Sequence, residues 1–248
     1  MDLKEFFRQH PKAAIAFSGG VDSSYLLYAA LQCGADVRAY YVKGAFQPQF
    51  ELDDAQRLAR DIHAPMTVLR ADVLRDETVT ANPANRCYYC KKVVFSSIAQ
   101  AALADGYTVL LDGTNASDDA GDRPGMRALQ ELQVLSPLRL CGLTKPEIRR
   151  LSEEARLFTW DKPAYACLAT RIPTGEKITA EKLSATESAE GELFAMGFTD
   201  FRVRWYAGAA RLQFPAVQLP RVLERREEIL TKLKKYYPAV LLDLEVRG

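Results

Sequence analysis

Histidine is scarce in this chain and cysteine is sparse. The two histidines, His10 and His63, lack the paired spacing of a zinc-binding element. Five cysteines, Cys33, Cys87, Cys90, Cys141 and Cys167, are an odd set in 248 residues; they argue against an extracellular disulfide framework and leave thiols or metal ligands in a reducing compartment. No apolar run approaches the roughly 20 residues of a membrane span, and the N-terminal stretch is broken by Asp2, Lys4, Glu5 and Arg8, so a soluble, cytoplasmic protein without a membrane partner is expected. An excess of charge is also missing. With 33 basic against 32 acidic residues the formal charge is +1, and no global field steers the chain towards nucleic acid. Internal repeats, low-complexity tracts and coiled-coil heptads are absent too.

What is present is an alternation of short apolar runs and amphipathic stretches. Strands are expected at Ala13 to Phe17, Val37 to Val42, Met66 to Leu69 and Tyr107 to Leu111. Helices are expected at Ser23 to Cys33, Leu52 to Ile62, Lys91 to Ala104 and from about Lys145 to Ala155, the last announced by a Thr144 cap, Pro146 and Glu147. This is the pattern of an α/β fold with a doubly wound parallel sheet. Asp161 to Gly175, rich in punctuating residues and carrying Cys167, reads as a linker. Beyond it a helix at Thr179 to Met196, strands at Phe201 to Trp205 and Arg211 to Phe214, a helix at Leu219 to Lys235 and a strand at Val240 to Val246 predict a second, smaller α+β domain. The expected division is 1–165 and 166–248.

The most informative segment is Ala14-Ile15-Ala16-Phe17-Ser18-Gly19-Gly20-Val21-Asp22-Ser23, which sets two glycines between an apolar strand and a helix. Open α/β sheets bind ligands at that edge. Gly19 and Gly20 let the backbone approach a phosphate, the helix start offers unpaired N–H groups, Ser18 and Ser23 add hydroxyls, and Asp22 either holds magnesium or orients the loop. No Gly-Lys-Ser or Gly-Lys-Thr follows, so it is not a Walker loop. A plain Gly-Gly turn is the bland alternative. A second polar loop, Asp112-Gly113-Thr114-Asn115-Ala116-Ser117-Asp118-Asp119, would open on the same edge and form the other wall.

Arg86-Cys87-Tyr88-Tyr89-Cys90-Lys91-Lys92 places two thiols at chelating spacing beside basic side chains, and Cys167 offers a third. A zinc site normally has four protein ligands, whereas three thiols and an open corner suit an iron–sulfur cluster. A redox pair at Cys87 and Cys90 with a buried thiol at Cys167 is the alternative.

The Ser-Gly-Gly-x-Asp-Ser string resembles the loop of the N-type ATP pyrophosphatases, and the chain as a whole resembles the LarE family of ATP-dependent sulfur transferases. The likeness rests on Ser18 to Ser23, Arg86 to Lys91, Asp112 to Asn115, Gly142-Leu143-Thr144-Lys145, Ala166-Cys167-Leu168-Ala169-Thr170-Arg171-Ile172-Pro173 and Phe201-Arg202-Val203-Arg204. The resemblance implies an adenine nucleotide alpha hydrolase-like fold, ATP and Mg2+, and pyridinium-3,5-biscarboxylic acid mononucleotide as substrate. A carboxylate would be adenylated and sulfur would displace AMP, in service of a nickel-pincer cofactor. It also implies catalytic roles for Cys167 and Asp22, a [4Fe-4S] cluster on Cys87, Cys90 and Cys167, phosphate contacts from Lys91, Arg202 and Arg204, an orienting role for Glu190 near the two arginines, and a homo-oligomer. Sacrifice of the Cys167 sulfur without a cluster is the other version of the step, and the sulfur donor is left open. Gln213 stands where the family leads one to expect an acidic residue. The competing readings are a tRNA thiolase, with Arg221, Arg225, Arg226, Lys232, Lys234 and Lys235 as an RNA-facing helix, an amidotransferase-like ligase, and a module that binds nucleotide without turnover.

Overall fold

The computed structural model describes residues 1–118 and 124–247. Asp119, in the second polar loop, lies outside the described residues. In chain order the elements are α1 (Leu3–Gln9), β1 (Lys12–Ala16), α2 (Val21–Gln32), β2 (Asp36–Lys43), α3 (Gln49–Asp61), β3 (Met66–Arg70), α4 (Glu77–Thr80), α5 (Arg86–Ala104), β4 (Leu110–Leu111), α6 (Pro124–Glu131), α7 (Pro137–Leu140), α8 (Lys145–Glu154), α9 (Ala180–Ala195), β5 (Arg202–Tyr206), β6 (Ala209–Gln213), α10 (Leu219–Glu224), α11 (Arg226–Leu233) and β7 (Val240–Leu242).

The chain forms two compact units, Met1–Val73 with Asn85–Lys162, and Leu74–Ala84 with Pro163–Gly248. The first is built on a parallel sheet of order β3-β2-β1-β4. Successive side chains of a strand point to opposite faces, and here both faces are apolar. Ala13 and Ile15 of β1 with Val37, Ala39 and Tyr41 of β2 join a core shared with Leu26 and Leu27 of α2, Leu58 of α3 and Ile148 of α8. Ala14, Tyr40 and Val42 face the other way, onto Phe95, Ile98 and Ala102 of α5 and Leu129 of α6. Helices therefore cover both faces, the doubly wound α/β arrangement anticipated from the apolar runs. Phe6 and Phe7 of α1, a helix the sequence reading did not assign, are buried in the first of these cores; Asp2 caps that helix by accepting the Glu5 N–H at 2.8 Å.

The second unit has a three-stranded sheet in which β6 pairs antiparallel with β5 and parallel with β7. Its core gathers Ala189 and Leu193 of α9, Val203, Leu212 and Phe214 of the sheet region, Val222 of α10 and Ile229 of α11.

Several elements differ from expectation. β4 is confined to Leu110–Leu111, and β7 ends at Leu242 instead of Val246. The expected helix over Leu219 to Lys235 breaks at Arg225, whose backbone leaves helical geometry at ψ +18° while its guanidinium donates to the Met196 carbonyl at 2.7 Å. Leu74–Ala84 belongs to the second unit, although a single break near residue 165 puts it in the first. The reason is hydrogen bonding: Asn82 donates to the carbonyls of Ile172 and Pro173, its own carbonyl accepts from Gly175, and Thr80 accepts from the Ile178 N–H.

Candidate active site

In the first unit the strand-to-helix turn is shaped by Gly19 and Gly20. Gly19 sits at φ +73°, a region open to glycine and costly for other residues. A Cβ there would also lie 3.0 Å from that of Ala55 on α3. Gly20 caps α2, and its carbonyl accepts the first helical bond from Ser24 at 3.0 Å and a second from the Ser23 hydroxyl at 3.2 Å. The Ser18 and Ser23 hydroxyls lie 3.0 Å apart, and the Gly20 N–H donates to Ser18 Oγ at 3.4 Å. Behind the loop, the ammonium of the half-buried Lys162 lies 2.8 Å from Asp54, 3.2 Å from Glu51 and 3.5 Å from the Gly19 carbonyl. Burial pushes the Glu51 carboxyl pKa up, against the pull of Lys162.

The second loop packs directly on this turn. A Cβ on Gly113 would stand 2.9 Å from the Ser23 backbone nitrogen, so only glycine allows the approach. Asp112 is buried and saturated, accepting from Thr114 N–H and Oγ at 3.3 and 2.5 Å and from Ser136 Oγ at 2.6 Å. Asp118 accepts the Asn115 N–H at 2.9 Å. Asp22 joins the walls: it receives Asn115 Nδ2 at 3.4 Å and the Lys145 ammonium at 2.6 Å, while the Lys145 N–H donates to Ser117. Thr144 caps α8 as expected, and Glu147 completes a capping box with it. Asp22 thus bonds to a residue of the second loop and to the first residue of α8.

Between the walls lies a cavity of about 310 Å³. Among its lining residues are Ser18, Gly20, Asp22, Ser23, Gly113, Thr114 and Lys91, which sequence reasoning had named separately. Lys91 is half-buried, with α6 close over it: a Cβ on Gly125 would come within 3.2 Å of its Cδ and Cε. Burial lowers the pKa of its ammonium, opposed by Asp112, Cys87, Asp118 and Cys90. One lysine therefore lies within electrostatic reach of both the cavity wall and the cysteine pair. Donors facing an open cleft beside a helix N-terminus suit a polyanion, and the carboxylates of Asp22 and Asp118 could take a divalent ion accompanying it.

Cys87 and Cys90 stand on the first two turns of α5, three residues apart and so on one face. Cys87 is exposed and Cys90 half-buried, and an Arg86 nitrogen lies 3.7 Å from the Cys87 sulfur. Tyr88 anchors this turn by donating to Glu131 of α6 at 2.7 Å. Two thiols in that setting fit two corners of a cluster. Among the described residues no group of three or more His, Cys, Asp or Glu side chains is gathered for a metal ion. Cys167 belongs to the second unit, where it precedes the 3-10 turn Leu168–Arg171.

The second unit carries its own polar cluster. Glu190 of α9, buried, accepts from Arg171 Nε at 2.8 Å and NH2 at 3.1 Å, from the Val203 N–H at 2.9 Å and from the Tyr165 hydroxyl. Arg202 is buried and donates to the carbonyls of Ala164 and Phe201, both at 2.6 Å; burial and the neighbouring Arg171 push its guanidinium down to about 10. Arg204 is half-buried, donating to the Thr170 carbonyl at 2.8 Å and to Gln213. Gln213 in turn donates to Asp243 at 2.8 Å, so an acidic group is present after all, one strand further along the sheet. Sequence reasoning missed Tyr165, Arg171 and Asp243 as members of this cluster. The signal for Arg171 was its position between Leu168-Ala169 and Ile172, where an apolar residue would serve a core.

No family model matches the chain. It is 36% identical over 249 residues to an uncharacterised protein of Synechocystis sp., across 98% of this chain and 92% of that one. It is 30% identical over 236 residues to the pyridinium-3,5-bisthiocarboxylic acid mononucleotide synthase of Lactiplantibacillus plantarum, across 94% and 86%. A tRNA-specific 2-thiouridylase of Thermotoga sp. is 25% identical over 189 residues, spanning 58% of this chain and 52% of that protein.

Proposed function

The chain belongs to the LarE family, that of the pyridinium-3,5-bisthiocarboxylic acid mononucleotide synthases, and on that footing we propose that it activates a carboxylate with ATP and then replaces AMP with sulfur. The substrate of this reading is pyridinium-3,5-biscarboxylic acid mononucleotide. The observation that carries it is the cavity in which Ser18, Gly20, Ser23, Gly113 and Thr114 converge with Lys91, the residue that follows Cys90.

A carboxylate is a poor electrophile until its oxygen becomes part of a mixed anhydride. The loop amides and the α2 N-terminus stabilise negative charge gathering on pyrophosphate as the carboxylate attacks the α-phosphorus. Lys91 adds a partly desolvated positive charge to the cavity lining, and Asp22 links the two walls through Asn115 and Lys145. Mg2+, when bound, would neutralise phosphate charge. In the second unit the excess of guanidinium groups around Glu190 suits the substrate phosphate, with Arg204 the more exposed of the two anticipated contacts. Cys87, Cys90 and Cys167 are the proposed ligands of a [4Fe-4S] cluster, which would supply sulfide when present.

The tRNA thiolase reading has a specific observation against it. Arg221 and Arg225 cap the end of α9 by donating to the carbonyls of Met196 and Gly197, and Lys232 and Lys235 pair with Glu192. Four of the six basic side chains of that tract are thus engaged within their own unit.

The deciding experiment measures pyrophosphate release with the biscarboxylate mononucleotide, together with iron and acid-labile sulfide on protein prepared without oxygen. Substrate-dependent pyrophosphate and about four irons per chain, lost in Cys87→Ala, Cys90→Ala and Cys167→Ala, are expected. Pyrophosphate without iron, before and after reconstitution, makes Cys167 itself the sulfur source; no pyrophosphate overturns the reading.

A further inference from the structure

We propose that Arg171 is the positioning residue of Cys167, fixing the two peptide groups that flank it. The proposal rests on the reading of Cys167 as a sulfur-transfer residue. Arg171 is only 1% exposed, an unusual place for a guanidinium. One edge of its fork, Nε and NH2, is bound to Glu190. The remaining arm, NH1, turns the other way and donates to the Ala166 carbonyl at 2.9 Å and to Thr170 Oγ at 2.9 Å. The Ala166 carbonyl belongs to the peptide group entering Cys167. Thr170 Oγ donates at 2.8 Å to the Cys167 carbonyl, which belongs to the peptide group leaving it, and the Thr170 N–H reaches the same oxygen at 2.9 Å.

The guanidinium is immobilised from three directions. Glu190 is pinned by the Val203 N–H of β5, the Tyr165 hydroxyl reaches the same carboxylate, and the Tyr165 ring lies 4.5 Å from the guanidinium carbon. Arg202 and Arg204 extend the grip to the carbonyls of Ala164 and Thr170. A segment with few periodic signals is thus given one shape by arginines, and the Cα–Cβ direction of Cys167 follows from its fixed neighbours. Lysine keeps the charge opposite Glu190, but its ammonium cannot present the planar fork that serves Glu190 and Ala166 together.

The test compares wild type with Arg171→Lys and Thr170→Val, the second of which leaves no buried charge unpaired. Hydrogen exchange of the 164–171 amides and steady-state thiocarboxylate formation are measured on each. Faster exchange confined to 164–171 is expected, with kcat lowered on the order of 100-fold in Arg171→Lys and about tenfold in Thr170→Val, and KM for ATP unchanged. Unchanged exchange and kcat in both variants, or exchange rising equally throughout α9 and β5, overturns the proposal and leaves Arg171 a structural residue. The exchange arm reads out even where sulfur transfer fails in wild type, so a failure of the functional reading is distinguishable from a failure of this one.

Discussion

Replacing Gly113 by alanine adds one methyl group and tests the close approach of the two cavity walls. That methyl would stand 2.9 Å from Ser23 N, 3.1 Å from Ser23 Cα and 3.3 Å from Ser23 Cβ, mostly the backbone at the start of α2 and therefore unable to swing aside. Reaching an ordinary separation of about 3.5 Å calls for a displacement of roughly 0.6 Å between the loop and the helix N-terminus. Overpacking of this kind costs about 1–3 kcal/mol of stability, enough to lower the melting temperature by several degrees. The effect on nucleotide should be larger than the effect on fold, because the N–H groups of α2 and the Thr114 hydroxyl no longer converge. Losing one hydrogen bond to a charged group is worth about 1.5–3 kcal/mol, so ATP affinity should fall roughly 10- to 100-fold. Calorimetric titration with ATP, alongside thermal melting, measures both. Gly34→Ala is the control: at φ +74° with nothing within 4 Å of its added methyl, it pays about 1–2 kcal/mol of backbone strain and leaves ATP affinity alone. Gly113→Ala binding ATP as wild type does would refute the argument from proximity.

Glu190→Ala strips the partner from a guanidinium that is 1% exposed and should destabilise the second unit by about 3–5 kcal/mol, read by urea unfolding; a loss below about 1 kcal/mol would mean the pair contributes little. Asp22→Asn removes the charge that holds Lys145, and pyrophosphate release should drop by about 100-fold while the far-ultraviolet spectrum stays the same; retained turnover sinks the orienting role. Burial raises the Glu51 pKa, so the folded chain holds that proton more firmly than the unfolded chain, and the associated stability is present below the unfolded value of 4.5 and lost as pH rises through the raised folded pKa. Glu51→Gln should therefore match or trail wild type near pH 4 and gain on it as pH climbs above that value, measured by melting at stepped pH; a gap independent of pH refutes it.

The strand, double glycine and helix around Ser18 to Ser23 were legible because each is local: periodicity and conformational freedom act within one turn of chain, although the helix begins at Val21, two residues before the expected Ser23. So was the covering of both sheet faces, since uninterrupted apolar runs such as Ala13 to Phe17 leave no polar side. What was not legible is long-range and polar. Asp22 and Lys145 are 123 positions apart, and Glu190 and Arg171 nineteen apart on different elements; no period marks such pairs. Boundaries failed where a side chain reached for distant backbone, as Arg225 does in breaking the C-terminal helix. Gln213 looked like a defect in the sequence because the carboxylate it bonds, Asp243, comes thirty residues later.

The capture of Leu74–Ala84 by the second unit makes the polypeptide pass between units more than once. During synthesis the Asn82 amide must wait some ninety residues for the carbonyls of Ile172 and Pro173. Cutting the gene at a single point cannot liberate either half intact: a fragment ending at Lys162 keeps an eleven-residue excursion without its host, and one starting at Pro163 lacks a piece of its own body. The two units are interleaved along the chain, so neither can be inherited, expressed or refolded whole from one continuous fragment.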